Sequence, residues 1–467
     1  MLVIFHPPTF RGERAYIHDV LFRQFLGLDY LTAEEERSDV RIAMAADADG
    51  KELRLADVFF AQPEEDWLTP RSLPPRPLPR WTAGEGIDPD VLVSPQLPVL
   101  YGKPCENGGF FRADDNRVEI GLDIAGSSFF LLTRYEEMVN PERDSHRRFP
   151  ARASLAWQEG FLDRPIVHEY LEILWWGMKR LWPGLARKSR KFRILPSHDV
   201  DQPFGVYGAS SGKLWKNMAG DLLYRKSPSL LWRRTKSVLA VRRGNPRADL
   251  NQTFDWIMEQ SERHGLVSAF YFFGGHTDRD VDGVYELGDP LLVELLRRIH
   301  RRGHEIGLHP SYHTFRDGEQ LKREYASLRQ AAQAAGIDQK EYGGRQHYLR
   351  WEAPATWQIW ADAGLAYDST LGYPDHAGFR CGTCREFPVY DACARKVLPL
   401  RERPLIVMEC TLLERQYMNM DRDAAADYMQ MLKRRCQKYQ GDFTLLWHND
   451  RLVHPQDAEL YQFILQA

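Results

Sequence analysis

The sequence predicts an α/β protein, with a parallel sheet and covering helices in the C-terminal part of the chain and an accessory α/β domain before it. From Lys191 onward, short apolar runs alternate with amphipathic segments of helical period, which is typical of a parallel sheet, open or closed into a barrel. A glycine follows the last apolar turn of these helical segments, where helices commonly stop. The length of 467 residues exceeds one ordinary hydrophobic core and indicates two domains.

Residues 1–188 form the predicted accessory domain. Its proline-rich connector, residues 70–79, should run extended over the surface. Apolar runs predict strands at 91–93 and 118–122, and apolar periodicity predicts helices at 127–138 and 165–181. The sequence leaves open whether this domain recognises substrate or only supports the rest of the chain.

Residues 189–467 form the predicted catalytic domain. The strand candidates are 192–196, 267–273, 305–308, 364–367, 405–409 and 443–447. The helix candidates are 249–264, 290–302, 318–335, 353–363 and 422–439. Active sites of parallel α/β folds lie at the carboxyl ends of the strands, so polar residues directly after these runs are the functional candidates.

Residues 211–247 interrupt this alternation. The segment contains ten Lys/Arg residues and one acid, Asp221, together with Trp, Leu and Val residues, and it predicts one or two cationic amphipathic helices. Two interpretations are open: a solvated lid that packs onto the sheet, or an interfacial element that lies on anionic lipid or binds an anionic substrate. No nucleic-acid-binding motif accompanies the charge, so we do not expect nucleic acid as a partner.

Composition and charge bound the class of protein. Hydrophobic residues make up 43% of the sequence and aromatic residues 12%, which is typical of a globular protein. The formal net charge of −3 is uneven, because residues 179–247 carry 17 Lys/Arg against three acids. No run approaches the roughly 20 apolar residues that cross a bilayer, the apolar start is too short for a signal peptide, and the six cysteines are sparse. We expect a cytoplasmic protein that can also lie at the inner face of the membrane.

Four motifs at strand ends predict one metal site. Asp199 and Asp201 lie two apart after the first strand of the catalytic domain, so both carboxylates can face one centre. His309 and His313 are four apart after another strand, a spacing that brings two imidazoles to one helix face. Two histidines and a carboxylate, with positions left for water, are a hydrolytic zinc arrangement.

Two further residues complete the predicted chemistry. Arg345 follows Gly343 and Gly344 and can orient a catalytic carboxylate while lowering its pKa. The alternative for Arg345 is a surface salt bridge. His448 ends the apolar run 443–447, where it can protonate a leaving group; the alternative is a core histidine.

At these residues the chain resembles the polysaccharide deacetylase superfamily (NodB homology, carbohydrate esterase family 4), over roughly residues 190–460. More narrowly, it is similar to a subgroup found with surface-polysaccharide genes that has an N-terminal accessory domain. The resemblance rests on Ser197-His198-Asp199-Val200-Asp201, Gly307-Leu308-His309-Pro310-Ser311-Tyr312, Tyr367-Asp368-Ser369-Thr370-Leu371-Gly372-Tyr373 and, in the N-terminal part, Phe130-Leu131-Leu132-Thr133-Arg134-Tyr135-Glu136-Glu137.

The resemblance implies a distorted (β/α)7-type barrel and one divalent metal per chain, most often zinc. Carried over by position, Asp201, His309 and His313 would hold the metal. Asp199 would be the base that activates water, and His448 would be the acid that protonates the departing amine.

The resemblance also assigns supporting roles. Arg345 would orient the base, and Asp368 would hold Arg345 or shape the groove. Tyr312, His347 and Tyr348 would bind substrate.

Three departures from the family pattern bear on these assignments. Val200 separates the two aspartates, which leaves the roles of Asp199 and Asp201 exchangeable. Pro310 stands where the family usually has Ser or Thr, and Gln346 stands where it usually has Pro. These changes leave the expected ligand set intact and indicate a remodelled substrate groove.

The predicted function is that of a zinc-dependent hydrolase that removes an N-acyl group, most simply acetyl, from an amino sugar in surface-polysaccharide (lipopolysaccharide or O-antigen) biosynthesis. The amino sugar would be nucleotide- or lipid-linked, since both carry the diphosphate that a basic insertion would bind. Two alternatives are a catalytically silent glycan-binding or assembly protein on the same fold, and a deformylase or other C–N amide hydrolase.

Overall fold

The computed structural model describes residues 1–46, 50–83, 87–106, 108–207, 209–223 and 227–466. Within these residues the chain is a mixed α/β protein, as predicted, with one six-stranded, one nine-stranded and one two-stranded sheet. No helix in the described part of the chain is long and apolar enough to cross a membrane.

The N-terminal part is built on the six-stranded sheet, with strand order β2-β1-β3-β4-β8-β7. Its strands, and those of the separate β5–β6 ribbon, are β1 Leu2–His6, β2 Tyr30–Glu34, β3 Asp39–Met44, β4 Glu52–Ala56, β5 Arg80–Thr82, β6 Gln96–Pro98, β7 Phe111–Ala113 and β8 Arg117–Ile120. The strand expected at 118–122 is present as β8. The run 91–93 is not a strand, because residues Pro89–Val91 form a 3₁₀ turn.

Five α-helices accompany this sheet. They are α1 Arg11–His18, which continues as a π-helical segment Asp19–Leu26, then α2 Ile124–Leu132, α3 Tyr135–Val139, α4 Leu155–Gln158 and α5 Ile166–Leu181. The single helix expected at 127–138 is divided in two, because Arg134 has a left-handed φ of 55°. Helix α5 packs closely on β4 and β8, where a Cβ on Gly177 would lie 3.1 Å from side chains of Leu53 and Val118.

The nine-stranded sheet carries the C-terminal part, in the order β14-β15-β13-β12-β11-β10-β9-β17-β16. Its strands are β9 Arg193–Val200, β10 Ala269–Phe272, β11 Glu305–Leu308, β12 Gly343–Gly344, β13 Tyr367–Asp368, β14 Phe387–Asp391, β15 Lys396–Glu402, β16 Val407–Met408 and β17 Asp442–Leu446. All neighbours are parallel except β14 and β15. The pairing of the described strands does not close into a ring, so the expected barrel is not confirmed.

The helices of the C-terminal part are α6 Ser211–Leu223, α7 Pro228–Arg242, α8 Phe254–Arg263, α9 Pro290–Arg301, α10 Gly318–Ala334, α11 Ala355–Ala363, α12 Glu409–Leu413, α13 Arg422–Lys438 and α14 Pro455–Leu465. Four of the expected glycine stops are left-handed, with φ between 65° and 80°: Gly265, Gly303, Gly336 and Gly364. After α13 it is Gln440, with φ 49°, that takes this conformation rather than Gly441.

A buried ion network joins the two parts of the chain. Glu137 of α3 accepts hydrogen bonds from Arg380 at 2.9 and 2.6 Å and from Arg134 at 2.9 Å. Burial alone would raise the pKa of Glu137, but the two guanidinium groups hold it below its ordinary value. Arg134 also bonds the hydroxyl of Tyr373, so this contact spans both parts.

Candidate metal and catalytic site

The predicted site residues meet at the carboxyl edge of the nine-stranded sheet. Asp199 lies near the end of β9, and His309, Arg345 and His448 follow β11, β12 and β17. The strands can approach closely because a Cβ on Gly344 would lie 1.8 Å from the carbonyl oxygen of Leu308. A cavity of about 170 Å³ at this edge is lined by Arg148, Asp199, Asp201, His309, His347, Tyr348, Leu349, Met408, Cys410, Glu414, Gln416, Tyr417 and His448.

Asp201, His309 and His347 form a group that could hold a metal ion. One ligand atom from each lies within 4.8 Å of the others, and His309 Nε2 is 3.3 Å from Asp201 Oδ1. Both of these atoms are buried without a well-formed hydrogen bond. Burial alone would raise the pKa of Asp201, but His309, His347 and His448 hold it below its ordinary value.

The second ring nitrogen of each histidine fixes which nitrogen is free to bind a metal. His309 Nδ1 is 2.6 Å from the carbonyl oxygen of Arg345, and His347 Nδ1 is 2.8 Å from Asp282 Oδ1. Because these oxygens accept hydrogen bonds, each neutral ring carries its proton on Nδ1 and presents the Nε2 lone pair. A histidine held through Nδ1 by a carbonyl or carboxylate is the common arrangement around a bound metal. The donor set therefore fits a divalent ion such as zinc.

His313 is not part of this group, although it was expected to be a metal ligand. Its side chain is 54% exposed, and Nε2 lies 3.7 Å from Asp278 Oδ2. The i, i+4 argument requires a helix, whereas the residues after His309 form an irregular turn before the 3₁₀ segment Thr314–Arg316. The third position is taken by His347, which was expected to bind substrate.

Arg345 holds Asp199 beside the candidate metal group. Its Nη1 donates to Asp199 Oδ1 at 2.8 Å, and its Nη2 donates to the hydroxyls of Ser197 and Ser369 at 2.9 and 3.1 Å. Asp199 Oδ2 lies 3.8 Å from His309 Nε2. Both side chains of the Arg345–Asp199 pair are buried, so a surface salt bridge is excluded for Arg345.

Asp368 does not bond Arg345. Its Oδ1 accepts hydrogen bonds from the backbone N–H and the hydroxyl of Thr370, and Thr370 in turn accepts from the backbone N–H of Gln346 at 3.0 Å. Burial raises the pKa of Asp368 to about 7. Asp368 thus supports the chain next to Arg345 rather than the guanidinium itself.

His448 is held by an acid that the sequence analysis did not single out. Its Nδ1 is 2.6 Å from Oε1 of Glu409, and its Nε2 lies 3.9 Å from Asp201 Oδ2. Burial alone would lower the pKa of His448, but Glu409 and Cys410 raise it well above its ordinary value. The protonated form of the imidazole is thus favoured, and its Nε2 lies on the side of Asp201.

The N-terminal part contributes a wall of the site. Arg148 lines the cavity, is paired with Asp144 at 2.8 Å, and donates from Nη1 to the carbonyl oxygen of Tyr348 at 2.9 Å. His146 Nδ1 is 2.8 Å from the hydroxyl of Tyr312. Tyr348 has a left-handed φ of 60°, which is unusual for a bulky residue, and the bond from Arg148 helps to hold it.

Three site residues were missed from the sequence. Glu409 is the last residue of the predicted strand 405–409, and an acid at the carboxyl end of a predicted strand could have been recognised as a site candidate. Asp282 lies among other acids, Asp278 and Asp280, which read as a solvated loop. Arg148 lies about 50 residues before β9 in another part of the chain, and the sequence contains no signal for its approach to the site.

A family model matches the N-terminal part of the chain. The family described as "Family of unknown function (DUF7033)" matches residues 2–183. No curated protein matches the chain.

Three solved structures are similar to part of the chain. A candidate polysaccharide deacetylase from Mycobacterium smegmatis is 14% identical, with a TM-score of 0.36, over 59% of this chain and 83% of that one. A candidate polysaccharide deacetylase from Pseudomonas aeruginosa PAO1 is 12% identical, with a TM-score of 0.35, over 67% and 90%. Puue allantoinase is 11% identical, with a TM-score of 0.33, over 59% and 82%. Similarity at this level carries no conclusion about the activity of this chain.

Proposed function

We propose that this protein is a metal-dependent hydrolase that removes an N-acyl group, acetyl in the simplest case, from an amino sugar used in surface-polysaccharide biosynthesis. The observation that carries the proposal is the group formed by Asp201, His309 and His347. Two imidazoles with Nε2 free and one carboxylate suit a hydrolytic metal. The carboxylate of Asp199 lies 3.8 Å from His309 Nε2, and the imidazole of His448 lies 3.9 Å from Asp201 Oδ2. A candidate base and a candidate acid for amide hydrolysis are therefore next to this group.

Asp201, His309 and His347 would hold the metal, replacing the expected set that contained His313. When bound, the ion would polarise the acyl carbonyl and lower the pKa of a water molecule. Asp282 and the carbonyl of Arg345 accept from Nδ1 of the two imidazoles, which leaves Nε2 of each ring as the nitrogen that would bind the ion.

Asp199 would act as the general base. Arg345 donates to its Oδ1 and fixes the plane of the carboxylate. The second oxygen faces the ligand atom of His309 and would take the proton of the attacking water. Arg345 bonds Asp199 and not Asp201, which supports Asp199 as the base and Asp201 as the ligand.

His448 would act as the general acid. The oxygen of the attacking water joins the acyl carbon, the C–N bond breaks, and the nitrogen needs a proton to leave as an amine. His448 carries that proton because Glu409 accepts from Nδ1 and stabilises the imidazolium. The products are a carboxylic acid and the free amino sugar.

The shape of the site supports a small reacting group. The cavity volume of about 170 Å³ is below the roughly 300–1,000 Å³ of pockets that enclose drug-sized ligands. Tyr348 and Tyr417 lie on its wall and offer surfaces on which a sugar ring could pack. We propose a nucleotide- or lipid-linked amino sugar whose acyl-amino group enters this cavity.

Metal content tests the proposal first. Plasma mass spectrometry on protein purified without chelator should give about one equivalent of zinc or another divalent metal. His309→Ala and His347→Ala should lose that metal, while His313→Ala, the matched control, should retain it. Metal-loaded protein should then release acetate from a nucleotide-linked N-acetylated amino sugar. Release of formate instead would indicate a deformylase. Metal-loaded protein that releases neither acid, yet binds the sugar, would favour the glycan-binding alternative.

A further inference from the structure

Helices α6 and α7 pack against each other and form, with residues 243–247, a cationic hairpin, defined here as residues 211–223 and 227–247. The two helices pack on each other through a buried ion pair, with Arg234 Nε 2.5 Å from Asp221 Oδ2. Leu214 and Leu230 are also buried. The expected helices of this segment are therefore present, and their inner side has both an apolar and an ionic contact.

The outer side of the cationic hairpin exposes large apolar side chains. On α6, Trp215 is 71% and Leu222 51% exposed; on α7, Trp232 is 58% and Leu239 50% exposed. In each helix the Trp and Leu are seven residues apart, which places them on one face. Exposed apolar residues are ordinary when single, but a cluster rimmed by charge marks an interaction site.

The charge around these side chains has a single sign. The sequence of residues 211–247 contains ten Lys/Arg residues, and its only acid is Asp221, whose charge is neutralised inside by Arg234. Lys216, Lys236 and Arg243 are exposed beside the apolar residues, and Lys236 Nζ lies 3.8 Å above the ring of Trp232. Trp and Leu surrounded by Lys and Arg are the composition of helices that lie in the interface of an anionic bilayer.

We propose that the cationic hairpin docks this protein on an anionic phospholipid bilayer. The Trp and Leu side chains enter the headgroup region, while the surrounding cations contact lipid phosphates. A second copy of the hairpin is a poor partner, because two surfaces with the same excess of positive charge repel each other. The surface is thus complementary to lipid rather than to itself.

The cationic hairpin contacts the same edge of the nine-stranded sheet as the candidate site. Arg233 of α7 donates to the carbonyl oxygen of Val453 at 2.7 Å, five residues after His448. The carboxylate of Asp249 accepts from the backbone N–H groups of Gly205, Val206 and Tyr207, each at 2.8 Å, and so fixes the start of the insertion. Val453 follows the carboxyl end of β17, so the hairpin contacts the chain at the edge of the sheet where the candidate site lies.

Vesicle co-sedimentation of the full chain tests this surface without any assay of activity. Vesicles of phosphatidylcholine with about 30 mol% phosphatidylglycerol should pellet wild type at least about tenfold better than pure phosphatidylcholine. The double variant Trp215→Ser/Trp232→Ser should lose roughly tenfold or more of that binding. Trp157→Ser is the matched control, because Trp157 is 47% exposed in the N-terminal part, and it should bind like wild type.

The charge contribution is tested separately. Lys236→Gln/Arg243→Gln should weaken binding to the anionic vesicles about 30-fold, because each of the two cations near the surface contributes about 1 kcal/mol. The proposal is overturned if wild type does not pellet with anionic vesicles, or if the double Trp variant binds as well as Trp157→Ser. It is also overturned if light scattering shows a dimer that the double Trp variant abolishes while no vesicles are bound.

Discussion

Arg345 Nη1 donates a 2.8 Å hydrogen bond to Asp199 Oδ1, and the side chains of both residues are buried. The same arginine accepts from His309 Nδ1 through its backbone carbonyl. One residue therefore positions the candidate base with its side chain and a candidate metal ligand with its main chain. A substitution at 345 removes the first contact and leaves the second in place, so the two functions can be separated.

Arg345→Gln should retain the metal and lose catalysis. We expect kcat to fall by about 10²-fold, because Asp199 is no longer held in the reactive position, while KM changes less. Leaving the buried carboxylate of Asp199 unpaired should also cost about 3–5 kcal/mol of unfolding free energy. Steady-state kinetics, metal analysis and thermal unfolding of the same preparation check these effects. Loss of metal in step with activity would contradict the separation.

Asp282→Asn should weaken metal binding. Its carboxylate accepts from His347 Nδ1, and removal of such a partner typically costs 10- to 100-fold in metal affinity. Asp278→Asn is the matched control, since Asp278 lies beside the exposed His313 and should leave the affinity unchanged. Competition with a fluorescent zinc chelator measures both variants. Equal affinities would remove His347 from the ligand set.

Glu409→Gln should shift the pH dependence of the reaction. Glu409 raises the pKa of His448, so wild type keeps the protonated acid up to a higher pH. A neutral glutamine no longer stabilises the imidazolium, the pKa of His448 falls, and activity should decline at a lower pH than in wild type. A kcat profile from pH 5 to 10 at saturating metal checks the direction. If kcat of Glu409→Gln declined at the same alkaline pH as kcat of wild type, His448 would not be the acid.

The buried ion network of Glu137, Arg134 and Arg380 should stabilise the fold at neutral pH and lose this contribution in acid. The folded-state pKa of Glu137 lies below its ordinary value, so its contribution is complete above the unfolded-state pKa of about 4.3 and is lost as pH falls through the folded-state value. Glu137→Gln should lose about 3–5 kcal/mol of unfolding free energy at pH 7. As the pH falls, the unfolding free energy of this variant should decrease less steeply than that of wild type.

The control for Glu137 is Glu142→Gln. Glu142 is paired with Arg152 on the surface, with side-chain exposures of 44% and 63%, and such pairs contribute about 1 kcal/mol or less. Calorimetry at several pH values separates the two variants. A similar loss in both would show that the pair with Arg380 contributes no more than a surface contact.

Much of the fold followed from local patterns in the sequence. The alternation of apolar runs and periodic helices predicted β9, β11 and β17, and glycines marked the ends of four helices. Strand β12 escaped prediction because Gly343 and Gly344 have no apolar side chain, and their backbone pairs only because that absence lets β11 approach. Strand closure also could not be inferred, since it depends on contacts between distant segments.

The sequence predicted those residues of the candidate site that lie at or directly after the carboxyl ends of parallel strands. Asp199, Asp201, His309, Arg345 and His448 could be brought together from their positions after parallel strands. His313 was predicted as the third ligand from the i, i+4 spacing of a helix, but the chain after His309 turns instead, and it is His347 that lies with Asp201 and His309. His347 could have been recognised only from the position of Asp282, which is 65 residues away in sequence.

The contact between Arg148 and Tyr348 has a consequence for how such a chain can evolve. The residue next to a candidate ligand adopts an unfavourable backbone conformation that is supported from the N-terminal part. Recombination that carried residues 189–467 into another protein would transfer Asp201 and His309 intact and leave His347 with a loosened neighbour. A chain that kept only residues 189–467 would therefore need a new support for Tyr348, the neighbour of His347.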